Sequence, residues 1–233
     1  MSSAANDAPN VYRIDLAHAY LEMARALYNS KIVREDEPTE EEVVEYFGYD
    51  PSGTLSMALA SQSLFYSYLA LEAWTNEMLY HLWQASQDAH AKVESMGKAK
   101  KGITPILDWF YQQYGETSFT DLRKTDLREL KERIKVVIQG MDLASIADNN
   151  PDLWRRLNQL LTPARQFLTH PIMDHDKLNE VAIPVLNEHP LQYWPDIAVE
   201  VIKYMHHGRE GDLPAWVEKN NLLRLPIVEL IGP

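Results

Sequence analysis

Apolar residues return every three or four positions between Tyr12 and Ile32, where Leu16, Tyr20, Ala24, Leu27 and Tyr28 form the stripe of an amphipathic helix. Thr39 followed by Glu42 has the form of a capping box for a short helix ending near Gly48, and Asp50-Pro-Ser-Gly53 reads as a turn. From about Leu55 to Met96 the chain has no proline or glycine and is rich in Leu, Ala, Met, Glu and Gln. That stretch predicts one long helix, or a kinked pair, stopped by Gly97. Thr104-Pro105 fits an N-cap with proline at the first helical position, and Gly115 fits the stop. A further helix is expected from Thr120 to Ile138, ending by Gly140. Asn150-Pro151 opens another, which Thr162-Pro163 either restarts or kinks just before Arg165.

Past His170 the pattern becomes intermittent, because seven of the 13 prolines fall between Pro171 and Pro233. Ile197 to His206 still reads as a helix, while Val181–Leu186 and Leu225–Ile231 are β-branched enough to form short strands that could pair as a hairpin. The expected fold class is therefore all-α: a helical bundle over residues 1–171, with a Pro-rich extension over residues 172–233 packed on it and carrying that β-hairpin. Trp74, Trp83, Trp109 and Trp154 are expected as core or interface anchors.

Composition narrows the class without naming a function. The chain has 233 residues, 45% of them hydrophobic and 24% charged, as in an ordinary globular protein with a sizeable core. It has no cysteine, which excludes disulfides and thiolate chemistry and makes a reducing cytoplasm the simplest location. No signal peptide is visible in MSSAANDAPN and no apolar run reaches the ~18 residues of a membrane span, so no membrane partner is expected. The net charge of −12 argues against a broad electrostatic grip on nucleic acid. Acid crowds between Glu35 and Glu45. Basic residues gather at Lys98–Lys101, from Arg123 to Lys135, and at Arg155-Arg156, although Asp121, Asp126, Glu129 and Glu132 interleave with the middle group as on a solvated helix face.

Several familiar sites fail on spacing. Gly97-Lys-Ala-Lys-Lys-Gly102 is followed by Ile103 where a phosphate loop needs lysine, no Glu-x-x-His occurs for a di-iron bundle, and no Gly-x-Ser-x-Gly elbow exists. Glu77 and His81, four apart, fit a hydrogen bond better than a metal site. His170, Asp174 and His175 could hold a divalent metal if a third ligand such as His189 or His206 joined them. The pair that carries most chemistry is Arg165 and His170, in Arg165-Gln-Phe-Leu-Thr-His170. A guanidinium stabilises charge building on a phosphate, and an imidazole exchanges a proton near neutrality. The plainer alternative is an arginine that caps a helix or pairs with an acid, and a histidine satisfied by backbone.

Together with Ser67-Tyr-Leu-Ala-Leu-Glu72-Ala-Trp-Thr-Asn76-Glu-Met-Leu, this hexapeptide resembles the HEPN superfamily. The hallmark of that superfamily is an arginine, usually followed by a polar residue, then a histidine after four to six intervening positions. Here Gln166 fills the polar slot, where the family more often has Asn, Asp or His. The resemblance covers the middle of the chain. It implies a helical bundle acting as a homodimeric, metal-independent endoribonuclease without cofactor, in toxin–antitoxin or phage-defence systems, with RNA as substrate and an antitoxin protein as a possible partner. Arg165 and His170 are then the catalytic pair, with Gln166, Glu72 and Asn76 in support. Arg155 and Arg156, one to three turns upstream, are placed to guide a phosphate chain. The runner-up reading is an inactive HEPN-like domain serving as a binding or regulatory module.

Overall fold

A computed structural model describes residues 16–29, 51–95, 103–124, 127–169, 192–207 and 213–218. All regular elements among the described residues are helical, and none is a strand. In chain order they are α1 (Leu16–Asn29), α2 (Pro51–Ser95), α3 (Pro105–Tyr114), α4 (Phe119–Lys124), α5 (Leu130–Gly140), α6 (Ile146–Asn149), α7 (Pro151–Thr169), α8 (Tyr193–His206) and α9 (Ala215–Glu218). The capping box at Thr39, the acidic stretch, the lysines at 98–101 and both expected strands lie outside the described residues.

The long helix forms without interruption and begins earlier than expected. Pro51, Ser52 and Gly53, read as a turn, form its first turn instead. Proline suits that place, because its missing N–H would have no partner there and its φ is already helical. At 45 residues α2 is the spine, and α1, α3, α5, α7 and α8 all pack against it. Its buried side chains mix small and large, with Ala60, Ser63, Ser67 and Ala70 between Leu64, Leu71 and Trp74. Small residues let α1 approach closely, and its Ala17, Leu21 and Ala24 are buried there.

The single helix expected from Thr120 to Ile138 is in fact two, α4 and α5. Ser118 starts the first by accepting from the Asp121 backbone N–H at 3.2 Å while donating to its carboxylate at 2.6 Å. The second resumes at Leu130, and the interruption allows Leu122, Leu127 and Leu130 all to be buried. On one continuous helix Leu122 and Leu127 would point about 140° apart, so core burial overrides helix propensity here.

Of the glycines expected as helix stops, Gly97 lies outside the described residues, while Gly115 and Gly140 act through space and not through backbone freedom. A Cβ on Gly115 would lie 2.5 Å from the Tyr111 carbonyl oxygen, and one on Gly140 would lie 2.1 Å from Leu82 Cδ2. Gly140 is the last residue of α5, pressed against α2, and the left-handed residue that follows is Asp142, with φ 57°. At the other expected boundary the local signals hold: Thr104 is the N-cap of α3 with Pro105 next, although its hydroxyl makes no capping bond.

Helix α8, from the expected extension, shares the main core. Trp194, Ile197, Ala198, Val201, Ile202 and Met205 are fully buried in it, against α2, α7 and α1.

Replacing Gly140 by alanine is expected to destabilise the protein by about 1–3 kcal/mol through overpacking. Adding Leu82→Ala, which removes the clashing methyl, should make the double variant less destabilised than the two single costs summed. Chemical denaturation of the four proteins measures this coupling.

Candidate functional site

Helix α7 carries the arginine of the motif, and its start is locally determined. Asn150 Oδ1 accepts from the Leu153 backbone N–H at 3.1 Å, and Pro151 takes the first helical position. Leu153, Leu157, Leu160, Leu161 and Ala164 then recur on one face and are buried. The helix runs through Pro163 to Thr169, which places the backbone of Arg165 and Gln166 in its final turns. His170, the last residue of the motif, lies outside the described residues, as do Asp174, His175 and His189 of the candidate metal set. Among the described residues no three metal-binding side chains cluster. His81 Nε2 stands 3.6 Å from Glu77 Oε1 on the surface, within ion-pair reach but beyond the hydrogen bond expected of the pair.

The two guiding arginines are already engaged. Arg155 pairs with Asp152 at 2.6 Å. Arg156 reaches Asp152 at 3.0 Å and forks onto both carboxylate oxygens of Glu200 on α8, the first of them at 2.9 Å. These bonds hold both guanidinium groups above their usual range, chiefly through Asp152 for Arg155 and through Glu200 for Arg156. The Asp152 carboxyl is lowered in turn, first by its bond from Arg155. A phosphate arriving here has to displace a carboxylate from Arg156, so the bidentate pair serves the α7–α8 contact before it serves a ligand.

Of Glu72 and Asn76, expected to support Arg165 and His170, Glu72 is tied to a different cation. Glu72 accepts from Arg133 Nη2 at 2.6 Å, linking α2 to α5. Arg133 is only 3% exposed, and its Nη1 donates to the carbonyls of Leu127 and Arg128, both at 3.3 Å. One guanidinium thus holds the interruption between α4 and α5 against the spine. Burial lowers its pKa, with the Glu72 charge acting in the opposite direction. Asn76 Oδ1 and Arg133 Nε are buried with no hydrogen-bond partner among the described residues. Asn76 follows Glu72 by one turn, so the pair is flanked by an acceptor and a donor that a water or a small polar ligand would satisfy.

Sequence reasoning passed over Arg133, although a signal was present. Leu130, Arg133, Ile134 and Val137 have the i, i+3, i+4, i+7 spacing of a core stripe, with an arginine in one of its positions. It also passed over His90, which is 6% exposed and stacks on Tyr111 at 3.6 Å with planes 7° from parallel. Its Nε2 lies 3.2 Å from Asp108 Oδ1, near enough for an ion pair when protonated but not aligned as a hydrogen bond. Asp108 itself accepts from Gln112 at 2.7 Å. These contacts join α2 to α3, and no linear motif announces them.

No family model, no curated protein and no solved structure matches this chain. What the coordinates define is a helical protein built on one long spine, in which the ion pairs Arg133–Glu72 and Arg156–Glu200 join elements distant in sequence.

Removing the Glu72 carboxylate should leave Arg133 buried and uncompensated. Glu72→Ala is expected to cost about 2–4 kcal/mol, near the lower end for a broken buried pair because the Glu72 side chain is 29% exposed. Glu72→Ala combined with Arg133→Met should be less destabilised than Glu72→Ala alone, a sign that a double-mutant cycle in urea reads directly.

Proposed function

We propose that this chain is a HEPN-like, metal-independent endoribonuclease working as a homodimer, in a toxin–antitoxin or phage-defence setting, with Arg165 and His170 as its catalytic pair. The reading rests on the resemblance of Arg165-Gln-Phe-Leu-Thr-His170 to the superfamily's motif. One structural observation supports it. Arg165 directly follows Ala164, which is 1% exposed in the core, so the motif begins on a helix end anchored by Leu157, Leu160 and Leu161. A catalytic group on such a support is held more steadily than one on a free loop.

The chemistry assigns one role to each side chain. His170 takes the proton of a ribose 2′-hydroxyl, whose oxygen attacks the adjacent phosphorus. Arg165 stabilises the negative charge of the phosphorane, and the 5′-oxygen of the next nucleotide leaves with a proton from the partner protomer's imidazole. The products are a cyclic phosphate and a free 5′-hydroxyl, so atoms and charge balance without an added water. An acid and a base drawn from two protomers give dimerisation a chemical purpose.

A second reading, a HEPN-like binding or regulatory module without activity, is favoured by the engagement of Arg156 with Glu200 and by the net charge of −12. Both features weaken the attraction for a polyanion.

Labelled RNA incubated with purified protein in excess EDTA distinguishes the readings. The first expects cleavage that survives chelation, cyclic-phosphate ends, and a loss of roughly 10²- to 10⁴-fold in His170→Ala. An intact, folded dimer that leaves RNA whole while retaining a bound partner would leave only the second.

A further inference from the structure

Most basic side chains of the helices are already engaged. Arg25 on α1 donates to the backbone carbonyls of Trp216 at 2.7 Å and Val217 at 2.8 Å, and carboxylates hold Arg133, Arg155 and Arg156. Lys135 pairs with Glu132 at 2.9 Å, and Lys131 lies 5.0 Å from the centre of the Trp154 ring. Arg123, Lys124 and Arg128 differ. All three are exposed, and no carboxylate among the described residues engages them. They are gathered by the interruption between α4 and α5. The Leu127 backbone N–H donates to the Leu122 carbonyl at 3.0 Å, which folds the chain back where α4 ends. Leu122, Leu127 and Leu130 are buried, and the Arg133 guanidinium donates to the Leu127 and Arg128 carbonyls from within. Arg123 and Lys124 close α4, and Arg128 directly precedes Glu129, the N-cap of α5. The three cations are therefore the outer side of one tight turn braced from the core.

We propose that this turn is a docking surface for the phosphate backbone of single-stranded RNA, which Arg123, Lys124 and Arg128 grip. The choice of RNA as occupant rests on the ribonuclease reading, whereas the cationic surface stands without it. The acids that interleave with these cations in sequence are largely occupied elsewhere. Asp121 exchanges hydrogen bonds with Ser118, Glu132 pairs with Lys135, and Glu72 faces Arg133. Glu129 is the exposed acid beside the turn, and the side chain of Asp126 lies outside the described residues. Burial, the largest influence, lowers the Arg133 pKa, Glu72 opposes it, and the charge of Arg123 lowers it further. An exposed cation thus stands close to a buried one, and the single carboxylate of Glu72 does not cancel both.

Placement argues for a ligand more than for stability. The C-terminus of α4 favours the cations at Arg123 and Lys124, but the partial positive charge at the start of α5 disfavours Arg128. Three like charges on one turn repel one another, and an incoming phosphate chain relieves that repulsion. A guanidinium can fork onto two phosphate oxygens, while lysine adds a point charge. Because the backbone of the turn is already fixed by Arg133, little ordering is left to be done on binding. The net charge of −12 does not cancel the effect, since salt screens exposed charges beyond about 10 Å. Phosphate contacts set affinity and register and leave the chemistry to Arg165 and His170.

Fluorescence anisotropy of the full-length protein with a labelled strand of 2′-O-methyl uridylate tests this, because the blocked hydroxyl prevents cleavage. Three phosphate contacts predict an affinity loss of roughly 20-fold between about 50 and about 200 mM salt. Arg123→Gln, Lys124→Gln and Arg128→Gln together should weaken binding about 10-fold or more at the lower salt and flatten the salt slope by about 2. Each single substitution should lose about two- to five-fold, which carries the same test if the triple variant does not fold. Lys92→Gln, roughly 30 Å along α2 from Glu72, should change affinity by less than about two-fold. Wild-type affinity in the triple variant, or a loss in Lys92→Gln equal to that of each of the three, would overturn the proposal. So would a wild type that ignores the strand, and its binding of polyglutamate instead would mark a protein-docking surface. Cleavage of unmodified RNA reports on the catalytic pair separately. Strand binding that needs the three cations but is followed by no cleavage removes only the ribonuclease reading, whereas cleavage with an unchanged KM in the triple variant removes only this surface.

Discussion

A helix of 45 residues that is apolar on more than one side cannot stand alone in water, and the arrangement of this protein follows from covering α2. At 1.5 Å per residue it spans roughly 68 Å, longer than one ordinary partner helix could sheathe. Its first half is therefore covered by α1 through small buried residues, while further along it meets α5, where Gly140 allows Leu82 to lie against the backbone. Helix α3 returns along its last turns, fixed by the stack of Tyr111 on His90. Nonspecific burial drives each contact, and the small residues decide how close each approach can be.

Polar contacts set register within that frame. Arg133, Arg156 and Arg25 each reach from one helix to a segment far away in sequence, and each uses several donors at once. The planar, always-charged guanidinium suits this work, because one side chain satisfies carbonyls and a carboxylate together. For the proposed ribonuclease the consequence is restrictive. Arg133 and Arg156, which appear in sequence as parts of basic patches, are structural ties, and such engagement lowers their availability to a polyanion.

Much of the all-α character was legible from local signals. Asn150-Pro151 and Thr104-Pro105 mark real helix starts, because capping and the fixed φ of proline act within a few residues. The continuous helix through 55–95 was legible too, since nothing in the stretch interrupts it. The division of the 120–138 helix was not. It depends on Leu127 finding the core and on Arg133 holding two carbonyls, both of which require the spine to be in place. Of the candidate site, the position of Arg165 near a helix end was readable, whereas the partners of Glu72 and Arg156 were not.

Residue order alone settles where the backbone turns helical, for the reason that helix propensity, caps and proline geometry are properties of near neighbours. It also settles that a residue such as Leu157 or Ile134 belongs inside. Tertiary structure alone decides which charge meets which. Glu72 and Arg133 are 61 positions apart, Arg156 and Glu200 are 44, and Arg25 and Trp216 are 191. A polar contact over such distances has no periodicity to betray it, because it exists only after packing has brought the two segments within reach.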